Sequence, residues 1–235
     1  KLTATQVAGL STAQIARLEG DDLAQLSSAA IAGLSTTQIG ALTNQQIADL
    51  ATTQSAALTG AQLASLSTSQ ITAIETADMA KISTSAIGSL TTAQMAALSA
   101  DQVAALSTAQ LAQLSAAQLA KIGTAQIQSL TTDHAAALTA TQVAGLTTAQ
   151  IAAMDATDVA KLTTTALGAL STSQAAALTA DDVAALSTTQ FSKLTADQLG
   201  ALGTAQIQAM TTAQASKLSA TQATGLTTAQ IAKLE

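Results

Sequence analysis

The sequence predicts an all-α fold, a solenoid of short two-turn helices with one helix in every eight residues. Three observations carry that prediction. Large aliphatic residues recur with an unbroken period of eight, a helix-starting motif occupies the same place in most periods, and charges sort to the two ends of each period.

The period comes first, because internal repetition decides architecture before any local propensity does. Every position from Leu2 to Leu234 in steps of eight, thirty in all, is Leu, Ile or Met, with no insertion or deletion. A typical unit reads Leu146-Thr147-Thr148-Ala149-Gln150-Ile151-Ala152-Ala153. Large apolar residues thus stand at the first and sixth positions.

One continuous helix cannot use this pattern. Eight residues at about 100° each turn the Leu row by roughly 80° per octad, so no fixed apolar face would exist. A strand fares little better, since a spacing of five puts the two apolar residues on opposite faces and Ala and Gln are poor strand formers.

A separate helix in every octad explains the rest. The residue after each Leu is Ser or Thr in 23 of 29 units, and Gln follows three residues later in 21 of 29. Together these form the S/T-x-x-Q capping box, and the Leu before the cap and the Ile after the Gln are placed as its hydrophobic staple. Each octad is therefore expected to open a helix at its second residue, with the Gln at N3.

Charge placement agrees independently. Thirteen of the fourteen acids fall at N-cap, N2 or N3: Glu19, Glu75, Asp155 and Glu235; Asp21, Asp101, Asp133, Asp181 and Asp197; Asp22, Asp78, Asp158 and Asp182. Asp49 is the exception. All eight basic residues, Lys1, Arg17, Lys81, Lys121, Lys161, Lys193, Lys217 and Lys233, take the eighth position at the helix end. A short discrete helix favours this sorting through its dipole.

Helices this short are unstable alone, so they must stack, and the stack is a solenoid. The first- and sixth-position residues should be buried and the eighth-position cations exposed. The seventh position is small except at Gln128 and Gln208, which marks a close approach of backbones. With no Gly or Pro loop between units, the chain must turn at the Leu itself.

A longer period lies over the octad. Residues 75–154 align with 155–234 without gaps, an eighty-residue duplication. A fainter forty-residue echo puts small residues in the Ile slot at Ser55, Ala135, Ala175 and Ala215, with Ala223 outside that series. Shared ancestry explains the echo, and a flat face for lateral contact is the alternative. Residues 1–235 read as a single continuous array of 29 octads in frame. Val7 and Ile231 keep the pattern to the edges with no polar terminal unit, so the array is expected to be part of a longer one, or a subunit that stacks head to tail on itself.

Composition excludes several function classes. The chain has 48% hydrophobic and 9% charged residues, no Pro, Cys, Trp or Tyr and one Phe, so its surface is expected to be mostly Thr, Ser and Gln. A net charge of -6 with eight basic residues argues against nucleic acid. No apolar run approaches a membrane span. The absence of Cys fits a bacterial extracellular protein and the cytosol alike.

Candidate chemical sites are few. His134 replaces the N3 Gln of its octad and has neither Cys nor a second His to share a metal or activate a nucleophile, so it reads as a solvent-facing helix-start residue. Asp21-Asp22 and Asp181-Asp182, with Asp101 between them, could attract calcium, but helix-start acids need no such role and the ligand spacing of a calcium loop is missing. Phe191 reads as a core filler compensated by the small Ser192. No catalytic, metal or cofactor-binding residue is assigned, and the chain is expected not to be an enzyme. Thr at the third position in 17 of 29 units raises an alternative, a surface-binding module for ice or another flat ligand.

The units LTTAQIAAM (146–154), LSTAQLAQL (106–114) and LTTAQIAKL (226–234) resemble the octapeptide tracts of very large bacterial surface or secreted proteins of adhesin-like type. The resemblance covers the whole chain. It implies an extracellular or cell-surface location and a stalk, adhesive scaffold or filament-forming role, and it supplies no functional residue.

Overall fold

The computed structural model describes residues 2–234, so the readings for Lys1 and Glu235 lie outside the described residues. Every octad folds into its own helix. Twenty-nine α-helices of four to six residues follow one another from α1 (Ala4–Ala8) to α29 (Thr228–Ile231), and no strand occurs among the described residues.

The junction between α12 (Thr92–Ala97) and α13 (Ala100–Ala104) shows how the chain turns. Leu98 leaves the helix with φ -53° and ψ 141°, and Ser99 follows at φ -72° and ψ 161°. Two extended residues redirect the chain, and no described residue needs a positive φ. The Leu therefore makes the turn and sends its own side chain into the core, which is why no glycine loop is required.

Ile71, Met79, Ile87 and Met95 in the sixth position and Leu66, Leu90 and Leu98 in the first are buried. Arg17, Lys81, Lys121, Lys161, Lys193, Lys217 and Lys233 are exposed, as expected. The small Ser55, Ala135 and Ala175 are buried too, so they face the core and form no outer lateral face. Phe191 is fully buried, but Ser192 is exposed and donates its hydroxyl to the Thr189 carbonyl at 2.8 Å. Ser192 does not make room for the ring. The helices packed on α24 (Thr188–Phe191) are α21 (Thr164–Gly168) and α27 (Thr212–Ala215), whose sixth-position residues are Leu167 and the small Ala215.

The helices form two compact units, Lys1–Ile122 and Gly123–Glu235. Within each, helices three apart along the chain touch. In the first, α5 (Thr36–Gly40) packs on α8 (Gly60–Ser65) and α6 (Asn44–Ala48) on α9 (Thr68–Ala73). In the second, α20 (Ala156–Val159) packs on α23 (Ala180–Ala185) and α22 (Thr172–Ala177) on α25 (Ala196–Ala201). Backbones approach closely between α25 and α28 (Ala220–Thr224), where a Cβ added to Gly200 would lie 2.6 Å from the Gly225 carbonyl oxygen.

Candidate functional site: a ladder of buried glutamines

The surface was expected to be built from Thr, Ser and Gln. The cap and third-position Thr and Ser are mostly outside, and the Gln at N3 is mostly inside. From Gln38 onward the N3 glutamines are buried, whereas Gln6 and Gln14 are exposed.

Gln94 shows what the buried side chain does. Its Oε1 accepts the backbone N–H of Thr91 at 2.8 Å, closing the capping box, while Thr91 Oγ1 accepts the N–H of Gln94 at 3.2 Å. Its Nε2 then donates to the carbonyls of Leu63, at 2.9 Å, and Leu66, at 2.7 Å. Those carbonyls lie at the C-terminal end of α8, four helices earlier, where the helix's own ladder runs out and Leu63 also accepts the N–H of the C-cap Leu66 at 3.2 Å. One amide therefore satisfies the start of one helix and the end of another.

The same clamp recurs at fixed spacing. Gln54 donates to Leu23 and Leu26, Gln110 to Met79 and Ile82, Gln174 to Val143 and Leu146, and Gln230 to Leu199 and Leu202. Hydrogen bonds reach the fourth helix back and side-chain packing the third, so one coil of each unit closes in between three and four octads.

His134 is part of this ladder and is not solvent-facing, since it is 3% exposed. Its Nδ1 accepts the N–H of Thr131 at 3.2 Å, and Thr131 Oγ1 accepts the N–H of His134 at 3.2 Å. The imidazole thus takes the acceptor role of the missing Gln. The sequence reading failed because it treated N3 as a surface position.

Acids at N3 divide by location. Asp22 is exposed, while Asp78, Asp158 and Asp182 are buried. Asp78 Oδ2 accepts the Ser55 hydroxyl at 3.0 Å. Burial pushes Asp158 and Asp182 above the ordinary aspartate range. Asp21, Asp101 and Asp181 are exposed at helix starts, and no group of three or more metal-binding side chains gathers among the described residues. Third-position threonines such as Thr92, Thr108 and Thr148 are exposed. No described helix is long and apolar enough to cross a membrane.

Helices that pack mainly on their third neighbours and clamp to their fourth through one repeated side chain define a helical tandem-repeat protein. The model of the ALTTAQ repeat family matches residues 15–52, 71–108, 104–140, 151–188 and 180–212, more than half of the chain. The chain belongs to the ALTTAQ repeat family and is a structural repeat module. No curated protein matches it.

Proposed function

We propose that the chain is a non-catalytic scaffold of a bacterial surface or secreted protein, serving as a stalk, an adhesive support or a self-assembling filament segment. The observation that carries this reading is the glutamine ladder. The buried polar chemistry of Gln54, Gln94, Gln110 and Gln174 is spent on holding coil to coil, in a form that repeats over the length of each unit. Such a design extends by addition of octads and needs no particular residue at any one of them.

Self-association belongs to the same reading. The clamp that joins coil to coil within the chain offers the same amides and carbonyls at every coil, and this supports joining coils of separate copies in the same way.

Antibody labelling and protease shaving of intact cells, followed by light scattering of the purified chain, test the proposal. Surface accessibility and a concentration-dependent rise in mass are expected. Confinement to the cytosol would overturn the location, and a monomer at all concentrations would overturn self-association. If ice or another flat surface is the ligand, replacing exposed Thr92, Thr108 and Thr148 with Val or Ala would change adsorption and leave cell-surface accessibility alone.

A further inference from the structure

Three buried acids stand where the ladder otherwise holds Gln, and they are not equivalent. Asp78 is answered by the Ser55 hydroxyl. Asp158 is its counterpart in the eighty-residue duplication, and the counterpart of Ser55 is Ala135, which has nothing to donate. Asp182 accepts the N–H of Thr179 through Oδ2 at 2.7 Å, but its Oδ1 is buried with no hydrogen-bond partner. In a glutamine octad the second polar atom is an amide that donates to two carbonyls, which for this octad would be those of Ile151 and Met154 by the same spacing. A carboxylate presents a lone pair where a donor is required, whereas a carboxylic acid presents a proton.

These residues are also stacked. His134 in α17 (Thr132–Ala137), Asp158 in α20 and Asp182 in α23 occupy the same position of successive packed helices, and α26 (Thr204–Gln208) follows with Gln206. The other ionisable groups around the column are Asp133 on α17, Asp155 and the exposed Lys161 at the two ends of α20, and Asp181 on α23; α26 brings none.

We propose that Asp158 and Asp182 form a proton-operated lock in the second unit, seated when each carboxyl holds a proton and loosened when both are charged. The electrostatics run the same way. Desolvation is the main cause of the upward displacement of both, Asp155 adds to it at Asp158 while His134 opposes it, and at Asp182 the Thr179 bonds oppose it while Asp181 and Asp155 add. A folded-state pKa raised above the unfolded value means that the native state binds the proton more tightly. The stabilisation is complete below the unfolded value and is lost as pH rises through the folded one.

The test uses the full chain with Asp182→Gln and, separately, Asp158→Gln, in denaturant unfolding from about pH 4 to about pH 8, a window spanning the carboxylate range and neutrality. Glutamine restores the donor without charge, so each variant is expected to raise the folding equilibrium constant by about tenfold near neutrality, on the scale of one unsatisfied buried group. That advantage should fade towards the acid end. Carboxyl 13C resonances of Asp158 and Asp182 supply a second readout, expected to titrate above an ordinary aspartate. An advantage that does not change with pH, or ordinary carboxyl titration midpoints, would overturn the lock.

Discussion

The amide of glutamine does what neither of its close relatives can. Its oxygen caps a helix start and its nitrogen supplies two hydrogen bonds to carbonyls four helices back, all within the core, as at Gln94. Replacing Gln94 with Leu leaves the Thr91 N–H and the carbonyls of Leu63 and Leu66 without that partner, so a loss of about 3 kcal/mol is expected. Thr91→Ala removes one exposed cap and should cost about 1 kcal/mol. Gln94→Glu keeps the acceptor but loses the donor, and should destabilise at neutral pH and recover in acid. Urea unfolding of the three variants gives the order, and equal losses for Gln94→Leu and Thr91→Ala would contradict the ladder. The capping box was legible from the sequence, but the cross-coil half of the Gln's role was not, because a box accounts for every Gln on its own. A signal was present all the same. A box accepts Glu as well as Gln, and the helix dipole favours Glu at N3, yet no octad has Glu at that position. The absence of Glu beside 21 Gln fits a donor role for most rungs, although Asp stands at N3 in four octads and Ala in three. His134 and the three buried acids become intelligible once N3 is understood as an interior position.

At the scale of the element, helices of four to six residues persist because most are closed at the start by a cap, as α12 is by Thr91, and many at the end by the amide of a later helix, as α8 is by Gln94. Helix starts and the turn at Leu were predictable from the staple, since they depend on contacts within one octad. Which helix meets which depends on the rotation accumulated over several turns, and no single octad encodes that. Phe191 illustrates the difference: the sequence neighbour Ser192 is exposed, and the helices packed on α24 are α21 and α27, three units before and after it. Glycines separate in the same way. A Cβ on Gly225 would come within 2.9 Å of the Ala196 Cα, whereas one on Gly168, in α21 (Thr164–Gly168), would meet nothing within 4 Å. Gly225→Ala is therefore expected to cost about 1–3 kcal/mol through overpacking. Gly168→Ala should be neutral or stabilise by up to about 1 kcal/mol, through better helix propensity and a less flexible unfolded chain. Thermal unfolding of the pair checks this, and a penalty at Gly168 equal to that at Gly225 would refute the close approach.

On the scale of the whole molecule, the octad is the unit of exchange. Within each unit, helices find their partners by counting three and four octads along the chain, and most octads present the same clamp, so the identity of the partner matters less than the frame. Deleting residues 98–105 removes α13 with its turn and cap. Gln110, which donates to Met79 and Ile82 in the intact chain, would then stand four octads after Ile71 and Ile74, whose carbonyls Gln102 serves before the deletion. The ladder closes again one rung shorter, and the expected loss in Tm is no more than about 4 °C, on the scale of one to two kcal/mol for a chain of this size. Deleting only residues 98–101 takes away Leu98 and Ser99, the turn and the cap, and runs α12 into the remainder of α13. That shorter deletion should lower Tm by roughly 10 °C or more, because a staple, a cap and the placement of one amide are lost together. Circular dichroism melts of the two deletions decide the matter: if the eight-residue deletion proves as damaging as the four-residue one, partners in this fold are individually specified and the octads are not interchangeable.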